Sequence, residues 1–170
     1  DAYVTEIHTP CKIDQDTDIN ELVREQEYAD FINSTHLDKL VPNNDFRFSI
    51  PGQYDKLLQH ISVHRWFMGE KLDRSLTDDE AVLGWYREVY LPLVRIIRKD
   101  GILEDFPQRT EMDLYLWIIE HRWYLSEERK RRVSLESAAI NFRRQFSHHR
   151  FRHISQVFSW IKKKFTGRKG

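Results

Sequence analysis

Cysteine, glycine and proline are scarce in this chain. The single cysteine, Cys11, excludes an internal disulfide and makes a reducing cytosol the expected compartment. Six glycines and five prolines are too few for the many tight turns of an all-β fold. No apolar run approaches the roughly 18 residues that a membrane-spanning helix needs. The first residues hold no charged segment leading into an apolar one, which again makes a cytoplasmic protein the expectation. A Gly-rich phosphate loop, a nucleophile elbow and a Cys-x-x-Cys pair are all missing, so the chain reads as non-catalytic, without a cofactor or a small-molecule substrate. Acid is missing from one end: no Asp or Glu follows Glu136.

What is present supports a folded domain. Of the 170 residues, 40% are apolar and 13% aromatic, enough to fill one core. The net charge of zero conceals an asymmetry. Nine of the 27 basic residues lie beyond Glu136, leaving 18 basic against 27 acidic in residues 1–136, a net of −9. An acidic body with a basic tail predicts that the tail meets an anion: nucleic acid, lipid headgroups or the body itself.

The strongest internal signal is a repeat. His64-Arg65-Trp66-Phe67 returns as His121-Arg122-Trp123-Tyr124, 57 positions later. The register continues through Glu70 and Glu127, Arg74 and Arg131, Thr77 and Ser134, Ala81 and Ala138, and Arg87 and Arg144. Apolar residues match apolar ones between these anchors. A repeat of this length marks a supersecondary unit used twice, here a helix, a charged loop and a capped helix.

Hydrophobic spacing fills in the elements. Asp1–Ile7 alternates like a strand, expected either to pair with the extended stretch 45–50 or to close a sheet lying upstream. A helix is predicted from Asp18 to about Asn33, and one helical turn at 37–40, stopped by Pro42. Repeat one (51–100) opens with a helix near Gln53 whose stripe is Tyr54, Leu57, Leu58, Ile61, Arg65 and Met68. Thr77-Asp78-Asp79-Glu80 is a capping box, and Pro92 should kink or break the helix it starts. Repeat two (108–147) opens at Thr110 with a helix apolar on more than one face, hence central; Ser134 caps its partner. In the tail (148–170), Phe151, Ile154, Phe158, Ile161 and Phe165 fall on one helical face. The predicted fold is mainly α: an irregular helical bundle of two pseudo-repeated helix pairs spanning 18–147, with a short N-terminal strand at 1–8 and a basic amphipathic C-terminal helix.

Three groups of residues invite a functional reading. His60 and His64, one helical turn apart, could present two imidazoles to a metal, with His121 brought close by the pseudo-symmetry and Glu120 as an oxygen ligand. The alternative is histidines hydrogen-bonded within a helix seam. The pairs Arg65-Trp66 and Arg122-Trp123 could stack bases. The competing and preferred reading is core packing, with the arginines paired to acids such as Glu70, Glu80, Glu111 or Glu127. Arg143, Arg144, Arg150, Arg152, Lys162, Lys163 and Lys164 form the basic set expected to meet nucleic acid or another anionic surface.

Two stretches resemble a bacterial family. Asp1-Ala2-Tyr3-Val4-Thr5-Glu6 is similar to the last strand of a ParB/sulfiredoxin-like domain found in transcriptional regulators. The region that follows such a domain resembles Pro51-Gly52-Gln53-Tyr54, His60, His64-Arg65, Trp85-Tyr86, Tyr90-Leu91-Pro92, Phe106-Pro107 and Asp113-Leu114-Tyr115-Leu116-Trp117. The resemblance implies a cytoplasmic bacterial protein associated with DNA, its ParB-like core lying upstream. It transfers no catalytic or DNA-contacting residue to this chain.

The expected function is therefore a non-catalytic helical interaction domain of a DNA-associated regulator, with nucleic acid at the basic tail and a homodimer as partners. The alternatives are a peripheral membrane module anchored by the tail, or a His-rich metal-binding bundle.

Overall fold

Three hydroxyls set where three of the helices begin. In a computed structural model that describes residues 19–147, Thr77 Oγ1 accepts the Glu80 N–H at 3.2 Å, and the Glu80 carboxylate accepts the Thr77 N–H at 2.9 Å. Thr110 and Asp113 repeat the exchange at 3.2 and 2.8 Å. Ser134 Oγ accepts the Ser137 N–H at 3.1 Å. Each bond satisfies a donor that a helix start would otherwise leave unpaired.

The elements run α1 (Ile19–Thr35), α2 (Leu37–Leu40), α3 (Tyr54–Leu72), α4 (Asp78–Trp85), a π-helical segment (Tyr86–Tyr90), α5 (Leu91–Lys99), a 3-10 turn (Ile102–Asp105), α6 (Glu111–Arg129) and α7 (Leu135–Phe146). Among the described residues there is no strand. The stretch 44–48 is neither helix nor strand and buries Phe46 and Phe48. The predicted N-terminal strand, the Asp18 cap and the C-terminal amphipathic helix lie outside the described residues.

The sequence repeat is also a structural repeat. α3 and α6 are both 19 residues long, and both their ends are offset by the same 57 positions as the motif. Each ends on a left-handed residue, Asp73 and Lys130, both at φ 51°. The turn after each closes alike: the Arg74 N–H donates to the Gly69 carbonyl and the Arg131 N–H to the Ser126 carbonyl, both at 3.2 Å.

Pro92 does not end the helical run. The chain widens into the π-helical segment just before it, and the Leu91 N–H reaches back five residues to the Tyr86 carbonyl. Pro92 then takes the second position of α5. A proline ring collides with the carbonyl four residues earlier in an α-helix and offers no N–H. The wider turn accommodates both defects, and the helical run continues into α5.

The core gathers around α6, where Leu114, Tyr115, Leu116, Trp117 and Ile118 are all buried, as a helix apolar on several faces requires. Full burial of such side chains stabilises by about 1.5–3 kcal/mol each before entropy is counted. Buried Asp113 does more than cap α6. Its carboxylate also accepts the Ser49 N–H, at 3.2 and 3.3 Å, and so ties the segment that leads into α3 to the helix. Trp85 Nε1–H donates to the Tyr115 hydroxyl at 2.9 Å, joining the two repeats through their centre.

Candidate interaction surface

Trp66 and Phe67 point outward. Each is 61% exposed, although the preferred sequence reading put the tryptophan in the core. The stripe explains the difference. Tyr54, Leu57 and Ile61 carry the buried face of α3, and Trp66 lies off that face with Val63, which is also exposed. The Trp66 and Phe67 rings meet edge to face at 4.9 Å, a rigid pair on a regular helix. Beside Trp66 is a depression of about 540 Å³, lined among others by Arg65, Glu70, Asp73 and Arg74.

The two arginines here are neutralised. Arg65 bonds the Asp78 carboxylate and the Leu76 carbonyl, the latter at 2.6 Å. Arg74 makes a bidentate pair with Glu80 at 3.0 and 2.7 Å. The guanidinium, followed by the Thr77 N–H, holds the Glu80 carboxyl down at about 2. Of the acids expected as partners, only Glu80 is engaged in this way, and by Arg74 rather than Arg65; Glu111 binds Arg98. Glu70 and Asp73 meet no cation among the described residues.

Repeat two has the same backbone and different chemistry. Arg122 Nε donates to the Val133 carbonyl at 2.7 Å, where Arg65 donates to the Leu76 carbonyl through Nη2. However, Leu135 stands where repeat one has Asp78, and Ser137 where it has Glu80. Lys130 replaces Asp73 and Arg132 replaces Ser75. Burial, followed by the nearby Arg132 charge, pushes the Arg122 pKa below its usual value, with Glu136 opposing. Trp123 is 48% exposed.

The three histidines do not converge on a metal. His60 Nδ1 lies 3.4 Å from the Tyr115 hydroxyl, and His121 Nε2 lies 2.8 Å from Asn141 Oδ1. His64 Nε2 is buried against Gly84 and meets no hydrogen-bond partner among the described residues. Glu120 pairs with Lys56 at 3.3 Å. Among the described residues, no group of three or more His, Cys, Asp or Glu is placed to hold a metal ion. Each imidazole sits in its own helix seam, and burial pushes all three pKa values down.

The basic set divides. Arg143 is committed to the fold: its Nε donates to Asp105 at 2.5 Å and its guanidinium also reaches the Asp100 carbonyl at 2.7 Å. Arg144 is exposed. Arg150, Arg152, Lys162, Lys163 and Lys164 lie outside the described residues. No helix among the described residues is long and apolar enough to cross a membrane.

Sequence reading passed over two features. One is the contrast between Gly84 and Asn141 opposite equivalent histidines, which aligning the repeats would have exposed. The other is the loss of both carboxylate partners in repeat two, which required knowing who pairs with whom.

The chain belongs to the family of the domain of unknown function DUF4032, whose model matches residues 51–146, more than half its length and both repeats. No curated protein and no solved structure matches it. This corrects the likeness to ParB/sulfiredoxin-like regulators: the helical stretch from Pro51 that carried most of it is the DUF4032 domain itself. Most of the aromatic positions quoted for it, Tyr54, Trp85, Tyr90, Tyr115 and Trp117, are buried core residues, which report on packing and not on an upstream neighbour.

Proposed function

We propose that this domain is a non-catalytic protein-interaction module that captures a partner segment on the α3 face carrying Trp66 and Phe67. The observation that carries the reading is the outward-facing aromatic pair. Large aromatics on a rigid helix are what interface hot spots are made of. The neighbouring depression supplies concavity, and Glu70 and Asp73 supply negative charge that meets no cation among the described residues. The fitting partner is a segment with an apolar anchor flanked by Lys or Arg. Its anchor would pack on Phe67 and Val63, and its cation would reach the Trp66 face and the two carboxylates.

Panning a displayed peptide library on the full chain tests this. Enriched peptides should combine an apolar anchor with flanking basic residues, and their binding should fall at least about tenfold with Trp66→Ala/Phe67→Ala. Folding should be unaffected, since both side chains are exposed. A library that enriches nothing, or binders that ignore the double substitution, would refute the reading.

A further inference from the structure

The α3 face has a counterpart in the same chain. Val63, then Trp66 and Phe67, then Glu70 lie three to four residues apart and share one side of α3. Val63 is 49% exposed and the two aromatics more so, an apolar patch of the kind that something else covers. Acid surrounds it: residues 62–80 hold Arg65, Lys71 and Arg74 against Glu70, Asp73, Asp78, Asp79 and Glu80, a net of −2. Arg65 and Arg74 are already engaged by Asp78 and Glu80.

We propose that this face is covered in cis by the chain's own C-terminal segment, residues 148–170, with Phe158 and Ile161 on Trp66 and Phe67 and Lys162, Lys163 and Lys164 toward Glu70 and Asp73. This occupancy rests on the reading of α3 as a surface for an apolar anchor flanked by Lys or Arg, and it regulates that surface: a partner must displace the tail. The segment holds seven basic residues and no acid, a net of +7, while residues 19–147 hold 19 basic and 22 acidic, a net of −3. Its Phe151, Ile154, Phe158, Ile161 and Phe165 recur at intervals of three and four, the spacing of the face they would meet. Phosphates alone would answer the charge and leave five large apolar side chains in water. A lipid surface would take both and leave the acidic patch on α3 bare. The cis contact covers each with the other.

The connection is long enough. α7 packs on α6, and α6 meets α3 through Tyr115 and His60 at 3.4 Å and through Glu120 and Lys56 at 3.3 Å. Packed helices lie about 8–10 Å apart, so two such steps lead from α7 to α3. From Ser147 to Phe158 the chain can reach about 36–40 Å. A tether on this scale holds the segment at an effective concentration of about 1 mM. With an intrinsic Kd of about 100 μM the segment would fill the face about ten to one, and a partner in trans would bind about tenfold more weakly than to the bare face.

Photo-crosslinking of the full chain tests the contact. Phe67→p-benzoylphenylalanine, irradiated at low micromolar concentration and digested, should yield peptides of 148–170 joined to α3, from a product that runs as a monomer. The same probe placed as Arg95→p-benzoylphenylalanine, at an exposed position of α5, should not. A labelled synthetic peptide of residues 148–170 then measures occupancy. It should bind the full chain carrying Phe158→Ser/Ile161→Ser about tenfold more tightly than wild type, because that variant vacates the face with its charge unchanged. Adding Trp66→Ala/Phe67→Ala should abolish the gain. Adding Glu70→Gln/Asp73→Asn instead should weaken the peptide several-fold, and Asn keeps the left-handed φ of 51° that Asp73 adopts.

The proposal is overturned if the Phe67 probe captures no tail peptide, if it captures the tail of a second copy, if the Arg95 probe captures as much, or if peptide 148–170 binds wild type and the tail variant alike. Anionic vesicles or oligonucleotides that bind through the tail, with the cross-link absent, would overturn it in favour of those partners. Library binders that need Trp66 and Phe67, with no tail cross-link, would leave α3 a capture surface and remove the tail alone. A cross-link that Phe158→Ser/Ile161→Ser abolishes, with no library binder even to that variant, would uphold the tail and refute capture of a separate partner.

Discussion

His64 and Gly84 face each other at the place where, in the second repeat, His121 and Asn141 are hydrogen-bonded. Asn141 Oδ1 lies 2.8 Å from His121 Nε2, whereas a Cβ built on Gly84 would lie 2.9 Å from His64 Nε2. One histidine has an amide partner, and the other has moved into the space the missing side chain leaves. The two should therefore contribute unequally to stability. His121 also packs against Phe142 and Phe146 at 5.7 and 5.6 Å between centroids. His121→Ala should cost about 2 kcal/mol, the sum of a lost bond, an unpaired Asn141 and lost packing, while His64→Ala should cost less than about 1 kcal/mol. Urea unfolding of the two variants checks this; equal losses would contradict it.

The same histidines set the direction of pH dependence. Burial lowers His60, His64 and His121 from their ordinary value of 6.5; Lys56 adds to the effect at His60, Glu88 opposes it at His64, and Asn141 opposes it at His121. The unfolded chain therefore binds more protons than the folded one between each lowered value and 6.5. Stability is full above that window and falls as pH drops through it. Between about pH 7.5 and 5.5, above most carboxylate titration, the thermal midpoint should fall, and His121→Gln should flatten the decline. Glu120, raised by burial, acts the other way at lower pH, so a midpoint rising throughout the histidine range would contradict the assignment.

The buried bond between the repeats gives a third expectation. Tyr115→Phe keeps the ring and removes the acceptor of Trp85 Nε1–H, which lies 2.9 Å away in a fully buried position. An orphaned buried donor costs about 1–3 kcal/mol, and a chain of this length should lose about 2–12 °C in midpoint. Calorimetry of the variant measures it directly; an unchanged midpoint would mean that the bond contributes nothing net.

Helix starts were legible because they are local. Thr77 with Glu80 states its own geometry, and so does Thr110, which pairs with Asp113. The repeat was legible for the same reason, since matched residues imply matched turns. Trp66 was misread because periodicity shows which residues share a face, not which faces find a neighbour. Trp66 follows Arg65 by about 100° around α3, far enough to leave the buried stripe of Tyr54, Leu57 and Ile61. The arginine partners were misjudged because the α3–α4 turn, not sequence distance, decides that Asp78 rather than Glu70 reaches Arg65. The π-helical turn was unforeseen because Pro92 alone specifies a defect and not its remedy. The family likeness failed because buried aromatics at bundle spacing are common to unrelated helical domains.

The helix α5 has a wider consequence. Repeat two has no described counterpart to it, yet α5 packs against both α6 and α7, burying Leu93, Val94 and Ile97 completely. One copy of the duplicated unit thus supplies the wall on which the other is built. A fragment ending at Lys99 would bare those three side chains, and a fragment beginning at Thr110 would lose the surface they provide. The internal duplication, plain in the sequence, should be invisible to a calorimeter: both halves melt together, in one cooperative transition, and neither can be inherited or engineered as a spare part.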